Sequence, residues 1–300
     1  MDSINKGFVF GAGFTNCDIL YAGLPAVPTE GTELYSTAFD IQIGGGPPTT
    51  LINLQKLNVP VRLATFVGDT LFCGLIKEEY RRHRMDFLNL YQGEGMPITV
   101  TSALITERDR TFVSYREDID ITDKIIEDML SASHGASFAI MGVHFPQLHK
   151  EQKQQGAKLI LDTGWDESLS LEAYADYIDI ADYYTPSRSE ALKITGSANV
   201  DDALDILSRY FPQAMVKLDR EGCLIKEGGV KTLIPPLTGI TAVDATGAGD
   251  TFLSGFLYGL YHGHPFADCV RFGNITGGIC VQAIGCLGKQ VDEKELLALW

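Results

Sequence analysis

The 300-residue sequence contains no run of about 18 uncharged apolar residues, the length a membrane-crossing helix needs. Its first residues, MDSINKGFVFGAGF, lack the basic stretch and long apolar core of a secretory leader, so a cytoplasmic location is expected. Cations are scarce: 24 Lys+Arg against 39 Asp+Glu leave a formal net charge of −15. A surface so acidic is repelled by phosphate backbones and anionic lipid, and neither nucleic acid nor membrane is expected as a partner. The sequence has no G-x-x-x-x-G-K-[ST] loop, so a P-loop nucleotide site is not supported. The six cysteines include no C-x-x-C pair, and a chain this long buries enough surface to do without disulfide staples. Reduced core thiols are expected. His262 and His264 have no cysteine or carboxylate cluster beside them, a poor basis for zinc.

What is present is apolar residue in quantity, 45% of the chain, which excludes disorder. Short apolar runs at Gly7–Phe10, Val61–Val67, Ser137–Val143, Leu159–Leu161, Tyr177–Ile180 and Met215–Leu218 alternate with longer amphipathic stretches. That rhythm predicts strands alternating with helices in a doubly wound, mostly parallel α/β sheet. The segment Asp166–Ala175 has helical spacing, and TFLSGFLYGLYHG after Asp250 reads as a helix ended by Gly263 and Pro265. Leu34–Ile43 and Thr99–Tyr115 break the rhythm. They alternate apolar and polar residues, the second with a charged turn near Glu107–Arg110, and predict a small antiparallel sheet inserted in the core. With no repeat or Pro/Gly-rich linker, residues 1–300 read as one domain carrying a lid, its strands drawn from 12–43 and 97–117.

Three glycine-containing segments could carry chemistry. Gly11-Ala12-Gly13-Phe14-Thr15-Asn16 nearly matches the dinucleotide fingerprint G-x-G-x-x-G, but Asn16 replaces the last glycine and no helical pattern follows. It reads as a turn leaving the first strand. Gly44-Gly45-Gly46-Pro47-Pro48-Thr49-Thr50 precedes the amphipathic LINLQKLN; consecutive glycines let a ligand approach the backbone closely. Asp244-Ala245-Thr246-Gly247-Ala248-Gly249-Asp250 opens straight into an apolar helix, aiming free N–H groups and the positive helix end at one place. There Asp250 either caps the helix or accepts a proton from an attacking hydroxyl while the amides hold a phosphoryl group.

DATGAGDTF resembles the C-terminal signature of the PfkB carbohydrate kinase family, the ribokinase-like sugar and nucleoside kinases. The likeness covers nearly the whole chain. Thr15-Asn16-Cys17-Asp18 is similar to the early N-x-D segment, Gly44-Gly45-Gly46 to the GG signature, Val67-Gly68-Asp69 to the G-D after the second main strand, and Thr185-Pro186-Ser187-Arg188-Ser189-Glu190 to P-N-x-x-E. Val216 to Gly222, VKLDREG, resembles the strand and turn that lead to the adenine pocket. The resemblance implies a ribokinase-like fold, a Rossmann-like three-layer core with a β-sheet lid. It also implies transfer of the γ-phosphoryl of ATP to a sugar hydroxyl with Mg²⁺. By motif match Asp250 would be the catalytic base and Gly247, Ala248 and Gly249 the anion hole. Asn16, Asp18, Gly44, Gly45, Gly46 and Thr49 would meet the substrate. Ser187, Lys217, Asp219, Gly222, Gly249 and Asn274 would meet the nucleotide, and Glu190 would position hydrated Mg²⁺. Asp244 and Thr246 would belong to a K⁺ or other monovalent-cation loop.

The sequence departs from the family pattern where Thr49 (or Asn53 one turn later) stands for a substrate-binding Asn, Ser187 for the Asn of P-N-x-x-E, and Asp219 for a Gly. These changes bear on substrate and nucleotide preference. The basic run of Arg81, Arg82 and Arg84 reads as a solvated helix face. The substrate-side segments carry no Lys or Arg, which favours a neutral sugar or polyol, with Arg110 and Arg116 the lid residues placed to meet it. A nucleoside kinase of the same fold and a non-catalytic sugar-binding regulatory protein are the alternative readings. An apolar lid face would leave surface for a homodimer.

Overall fold

A computed structural model describes residues 7–300. Strand β1 (Phe8–Ala12) is buried at every position, as a strand covered on both faces must be. It lies in a six-stranded parallel sheet with β4 (Val61–Thr65), β5 (Phe87–Asn89), β8 (Ala136–Met141), β9 (Lys158–Leu161) and β10 (Tyr183–Tyr184). The order is β10-β9-β8-β1-β4-β5. Val9, Leu63, Ile140 and Ile160 feed one core, shared with helices α1 (Gly46–Lys56), α2 (Leu71–Arg82), α8 (Ala248–Tyr261), α9 (Phe266–Cys280) and α10 (Glu293–Leu299). Phe8, Phe10, Ala64 and Leu161 feed the other, with α3 (Asp123–Ser133), α4 (Pro146–Gln154), α5 (Ala175–Ile178), α6 (Arg188–Thr195) and α7 (Val200–Leu207). Neighbouring residues of one strand serve opposite cores because side chains alternate. This is the three-layer α/β core.

The lid is a four-stranded sheet ordered β3-β2-β6-β7, from β2 (Asn16–Leu24), β3 (Ala38–Gly44), β6 (Thr99–Thr106) and β7 (Arg110–Tyr115). It is mixed rather than antiparallel throughout, because β2 and β6 run parallel, Asp18 opposite Thr101. β3 ends at Gly44, one residue past the expected lid boundary.

Other expectations need correction. Tyr177–Ile180 is no strand. Its first residues finish the one-turn helix α5, where Ile178 turns inward, and the edge strand comes later at Tyr183–Tyr184. Asp166–Ala175 forms turns and irregular backbone instead of a helix up to Ala175, where α5 begins, and Asp166 is spent accepting from Ser168 and Tyr174. The run at Met215 becomes β11 (Gln213–Lys217), which pairs antiparallel with β12 (Cys223–Glu227), itself paired with β13 (Val230–Ile234). β11 still abuts the main sheet, since Lys217 N donates to Pro186 O at 2.9 Å. On α2, Arg81 and Arg82 pair with Glu78 and Glu79 on an exposed face.

Candidate active site

The glycine run and the start of α8 meet between lid and core. At Gly44 a Cβ would collide with the Asp18 carboxylate; at Gly46 it would lie 3.4 Å from Asp250 Oδ1. Gly45 between them has φ 95°, and its Cβ would press 2.5 Å from Phe14 O, so only glycine passes there without strain. β2 carries Asp18 into the cleft with Oδ1 buried and, among the described residues, without a hydrogen-bond partner. Burial pushes its carboxyl up to about 7. Asn16 begins the same strand, opposite Gly44 on one side and Thr99 on the other.

Gly247 is left-handed, φ 72°, and caps α8. A Cβ on Gly247 would also overlap Cys286. The turn closes tightly: Ala248 N is folded back on Ala245 O at 3.3 Å. Among the described residues the amides of Gly247, Gly249 and Asp250 have no backbone acceptor, so the free donors are these three and exclude Ala248. Asp250 sits in the first turn of α8. Its carboxyl is pushed up to about 8, chiefly by withdrawal from water and next by the Asp162 carboxylate, with Lys217 opposing and Asp18 and Glu190 adding.

Asp162, directly after β9, was not singled out from the sequence. The signal was its place just beyond the carboxyl end of a buried strand, where open α/β sheets bind ligands. Lys217 Nζ lies 3.9 Å from Asp162 Oδ1, and a Cβ at Gly249 would come within 3.4 Å of it. Glu190 belongs to a capping box on α6: its Oε2 accepts from Ser187 N at 2.8 Å, and Ser187 Oγ accepts from Glu190 N at 3.3 Å. Asp219 holds φ 53° in a short 3₁₀ turn.

Three expected residues face elsewhere than the cleft. Thr49 is fully buried, its hydroxyl donating to Cys286 Sγ at 3.4 Å. Asn53 spends its amide on Thr49 O and on Gln290. Asn274 Nδ2 donates to Ile234 O and Pro235 O at 3.0 and 2.9 Å, bracing the end of β13 where Gly222 also packs closely. Asp244 bolts two loops together: Oδ1 accepts from Thr246 N and Oγ1, and Oδ2 accepts from Gly285 N. Gln42 on β3 reaches the same loop, donating to Ile284 O at 2.9 Å and accepting from Leu287 N at 3.1 Å. Of the lid arginines, Arg116 lies 4.0 Å over the Phe14 ring, whereas Arg110 stays beside Phe112 on the lid.

A parallel sheet with helices on both faces, a β-lid, and a helix N-terminus facing a buried aspartate define the class of ATP-dependent kinases that act on sugar or nucleoside hydroxyls. The chain belongs to the pfkB family carbohydrate kinases, whose description matches residues 20–292. It is 23% identical over 281 residues to ribokinase of Lactococcus lactis, spanning 91% of this chain and 90% of that protein. Its fold is similar to ribokinase of Giardia lamblia (TM-score 0.85, 18% identity, 98% of this chain and 100% of the other). Arabidopsis thaliana ribokinase complexed with ribose and ATP is also similar (TM-score 0.77, 21% identity, 98% of each chain).

Proposed function

We propose that this chain transfers the γ-phosphoryl group of ATP to a hydroxyl of a sugar acceptor, with Asp250 as general base. The observation that carries this reading is the place of Asp250: a carboxyl held near pH 8 in the first turn of α8, beside free amides and across Gly46 from the acceptor side. A base with a pKa near the working pH balances availability against proton affinity. The amides of Gly247, Gly249 and Asp250 hold the transferring phosphoryl, whose charge they meet without rearrangement. Asp18, its Oδ1 unpartnered, accepts hydrogen bonds from acceptor hydroxyls, and Gly44 to Gly46 let the sugar lie against the backbone. Lys217 faces the phosphate side; Asp219, Gly222 and Ser187 border the nucleotide, while Asn274 braces its wall. Relatives named as ribokinase, and the neighbour holding ribose and ATP, support this assignment of the two substrates.

Magnesium fits the same site. Asp162 and Glu190 both raise the Asp250 pKa, so their charges face one space. When bound, Mg²⁺ supplies neutralising charge on the ATP phosphates. Asp244 Oδ2 accepts one hydrogen bond and keeps a lone pair for a monovalent cation such as K⁺ behind the anion hole, while Oδ1 is already occupied by two. A coupled assay of ADP release over free sugars, sugar acids, sugar phosphates and nucleosides tests the proposal; no turnover with any acceptor would remove it, and a nucleoside preferred over every sugar would make this a nucleoside kinase.

A further inference from the structure

In a protein of net charge −15, Arg116 has no carboxylate partner among the described residues. Glu117, Asp118 and Asp120 follow it closely in sequence, yet its guanidinium is stacked on an aromatic ring, 4.0 Å from the Phe14 centroid. Phe14 in turn stacks on Phe66 at 5.0 Å, and His144 meets it edge-on at 5.6 Å. A guanidinium packed by its flat face keeps its in-plane N–H fork free, the geometry that grips a carboxylate or phosphate with two parallel hydrogen bonds. His144 follows β8 at the carboxyl edge of the main sheet, close enough to Arg116 for that charge, after burial, to hold the imidazole below its usual range. A neutral ring adds one N–H donor.

The lid register places this cluster. Asp18, Thr101 and Ser114 lie side by side across β2, β6 and β7, with Thr101 and Ser114 hydroxyls 3.0 Å apart. Arg116 is two residues beyond Ser114, so strand alternation gives it the same face. Val100 pairs with Tyr115, and continuing that register sets Arg116 beside Thr99, which pairs with Asn16. Two strand spacings, about 10 Å, then separate the Arg116 backbone from Asn16, a gap that an acceptor of five or six carbons and the long arginine side chain bridge together.

We infer that Phe14, Arg116 and His144 form a subsite for an anionic substituent on the acceptor, and that this substituent is a carboxylate: the substrate is a sugar acid, not a neutral sugar. A phosphate brings nearly two charges into a cleft already holding Asp18, Asp162, Glu190 and Asp250, where Lys217 is engaged with Asp162 on the nucleotide side and Arg116 alone meets the acceptor; a carboxylate brings one. The inference rests on the acceptor lying between Asp18 and Asp250 as proposed above, and it replaces the neutral acceptor suggested by the uncharged glycine run, because the recognising cation sits on the lid.

The test compares kcat/KM of the full chain for a sugar, its aldonic or uronic acid and its phosphate ester, in wild type, Arg116→Ala and Arg116→Lys. The acid should exceed the matched neutral sugar by about 10- to 100-fold, the range for a charge-assisted hydrogen-bonded pair. Arg116→Ala should erase that preference mainly through KM, and Arg116→Lys should restore only part of it, lacking the planar fork. The acid alone, without ATP, should raise the Tm of wild type and not of Arg116→Ala. A neutral sugar or a phosphate ester preferred by wild type overturns the inference, as does an acid preference that survives Arg116→Ala. If no acceptor turns over, the kinase reading fails, and the Tm shift still decides for or against the carboxylate subsite.

Discussion

Asp18 and Asp250 stand on opposite sides of one three-residue glycine run, Asp18 against Gly44 and Asp250 against Gly46. The run keeps two carboxyls near one small space without letting any side chain fill it. Each is held well above the ordinary carboxylate range, Asp18 at about 7 and Asp250 at about 8. In the proposed reaction, a substrate hydroxyl entering that space meets Asp18 as hydrogen-bond acceptor on one side and Asp250 as base on the other.

Replacing the base should therefore cost chemistry and spare binding. Asp250→Asn is expected to lower kcat by about 10²–10⁴-fold, the range for a lost general base, with the Kd for ATP little changed. In wild type, kcat/KM for the acceptor should rise with pH through about 8 as Asp250 loses its proton. Turnover of Asp250→Asn within a few fold of wild type would remove Asp250 from the mechanism.

The same raised pKa has a thermodynamic consequence. A folded-state pKa of about 8, against about 3.9 for a free aspartate, means the folded protein keeps a proton that the unfolded chain releases. The resulting stability is full below about pH 4 and is lost as pH rises through about 8. Asp250→Asn should thus leave Tm nearly unchanged at pH 4 and raise it progressively from there to pH 9, by roughly 2 °C or more at the upper end. An equal Tm change at both pH values would show that burial does not strain the charge.

Much of this site was legible from local backbone demands. Gly44, Gly45 and Gly247 are glycine because a Cβ would collide with Asp18, with Phe14 O and with Cys286, and Gly45 and Gly247 also hold positive φ. Alternation marked β3, β6 and β7, although the run at Leu34–Ile43 becomes strand only from Ala38, and it did not mark β2, the strand that carries Asp18. What could not be read was which way a side chain turns. Thr49 stands at the position matching the family's substrate Asn, yet the pitch of α1 sends its hydroxyl to Cys286. Asp162 is one aspartate after an apolar strand until β9 and β11 bring Lys217 to it. Tyr177–Ile180 carries the apolar density of a strand, but that density belongs to a single helical turn, and two tyrosines serve as the edge strand instead.

Glu190 has both a structural and an electrostatic position, which a conservative change separates. Glu190→Gln keeps an acceptor for Ser187 N and hence the capping box, while removing one negative charge from the space shared with Asp162. The Mg²⁺ concentration giving half-maximal activity should rise several-fold, with Tm close to wild type. Full activity of either protein in excess EDTA would rule out the magnesium proposal.

The outer face of the lid offers a surface for association. Phe39 on β3 and Val113 and Tyr115 on β7 are 58%, 65% and 60% exposed, on the face opposite Asp18. Apolar residues so exposed on one sheet face are suited to a second copy of the chain. Light scattering should give a dimer mass for wild type and a monomer mass for Val113→Asp. A monomer at every wild-type concentration would remove the dimer and leave the lid.

Gln42 joins the lid to the phosphate side. Its amide holds Ile284 and Leu287 on either side of Gly285, whose N–H is fixed to Asp244, which in turn fixes Thr246 next to Gly247. Cys286 closes the same clasp, donating from Sγ to Ile43 O at 2.9 Å while packing under Gly247. These contacts span 2.9 to 3.1 Å and are buried or partly buried, so the position of β3 and the shape of the anion-hole loop are linked through residues 284–287. Gln42→Ala leaves the Leu287 N–H and the Ile284 carbonyl unpaired, costing about 1–3 kcal/mol, and should loosen a loop its side chain never touches. Amide hydrogen exchange at residues 244–250 should accelerate in Gln42→Ala, and kcat should fall more than the acceptor KM rises, since loosened amides hold the transferring phosphoryl less well than they hold its ground state. Exchange at 244–250 unchanged from wild type, with kcat intact, would mean that lid and anion hole move independently.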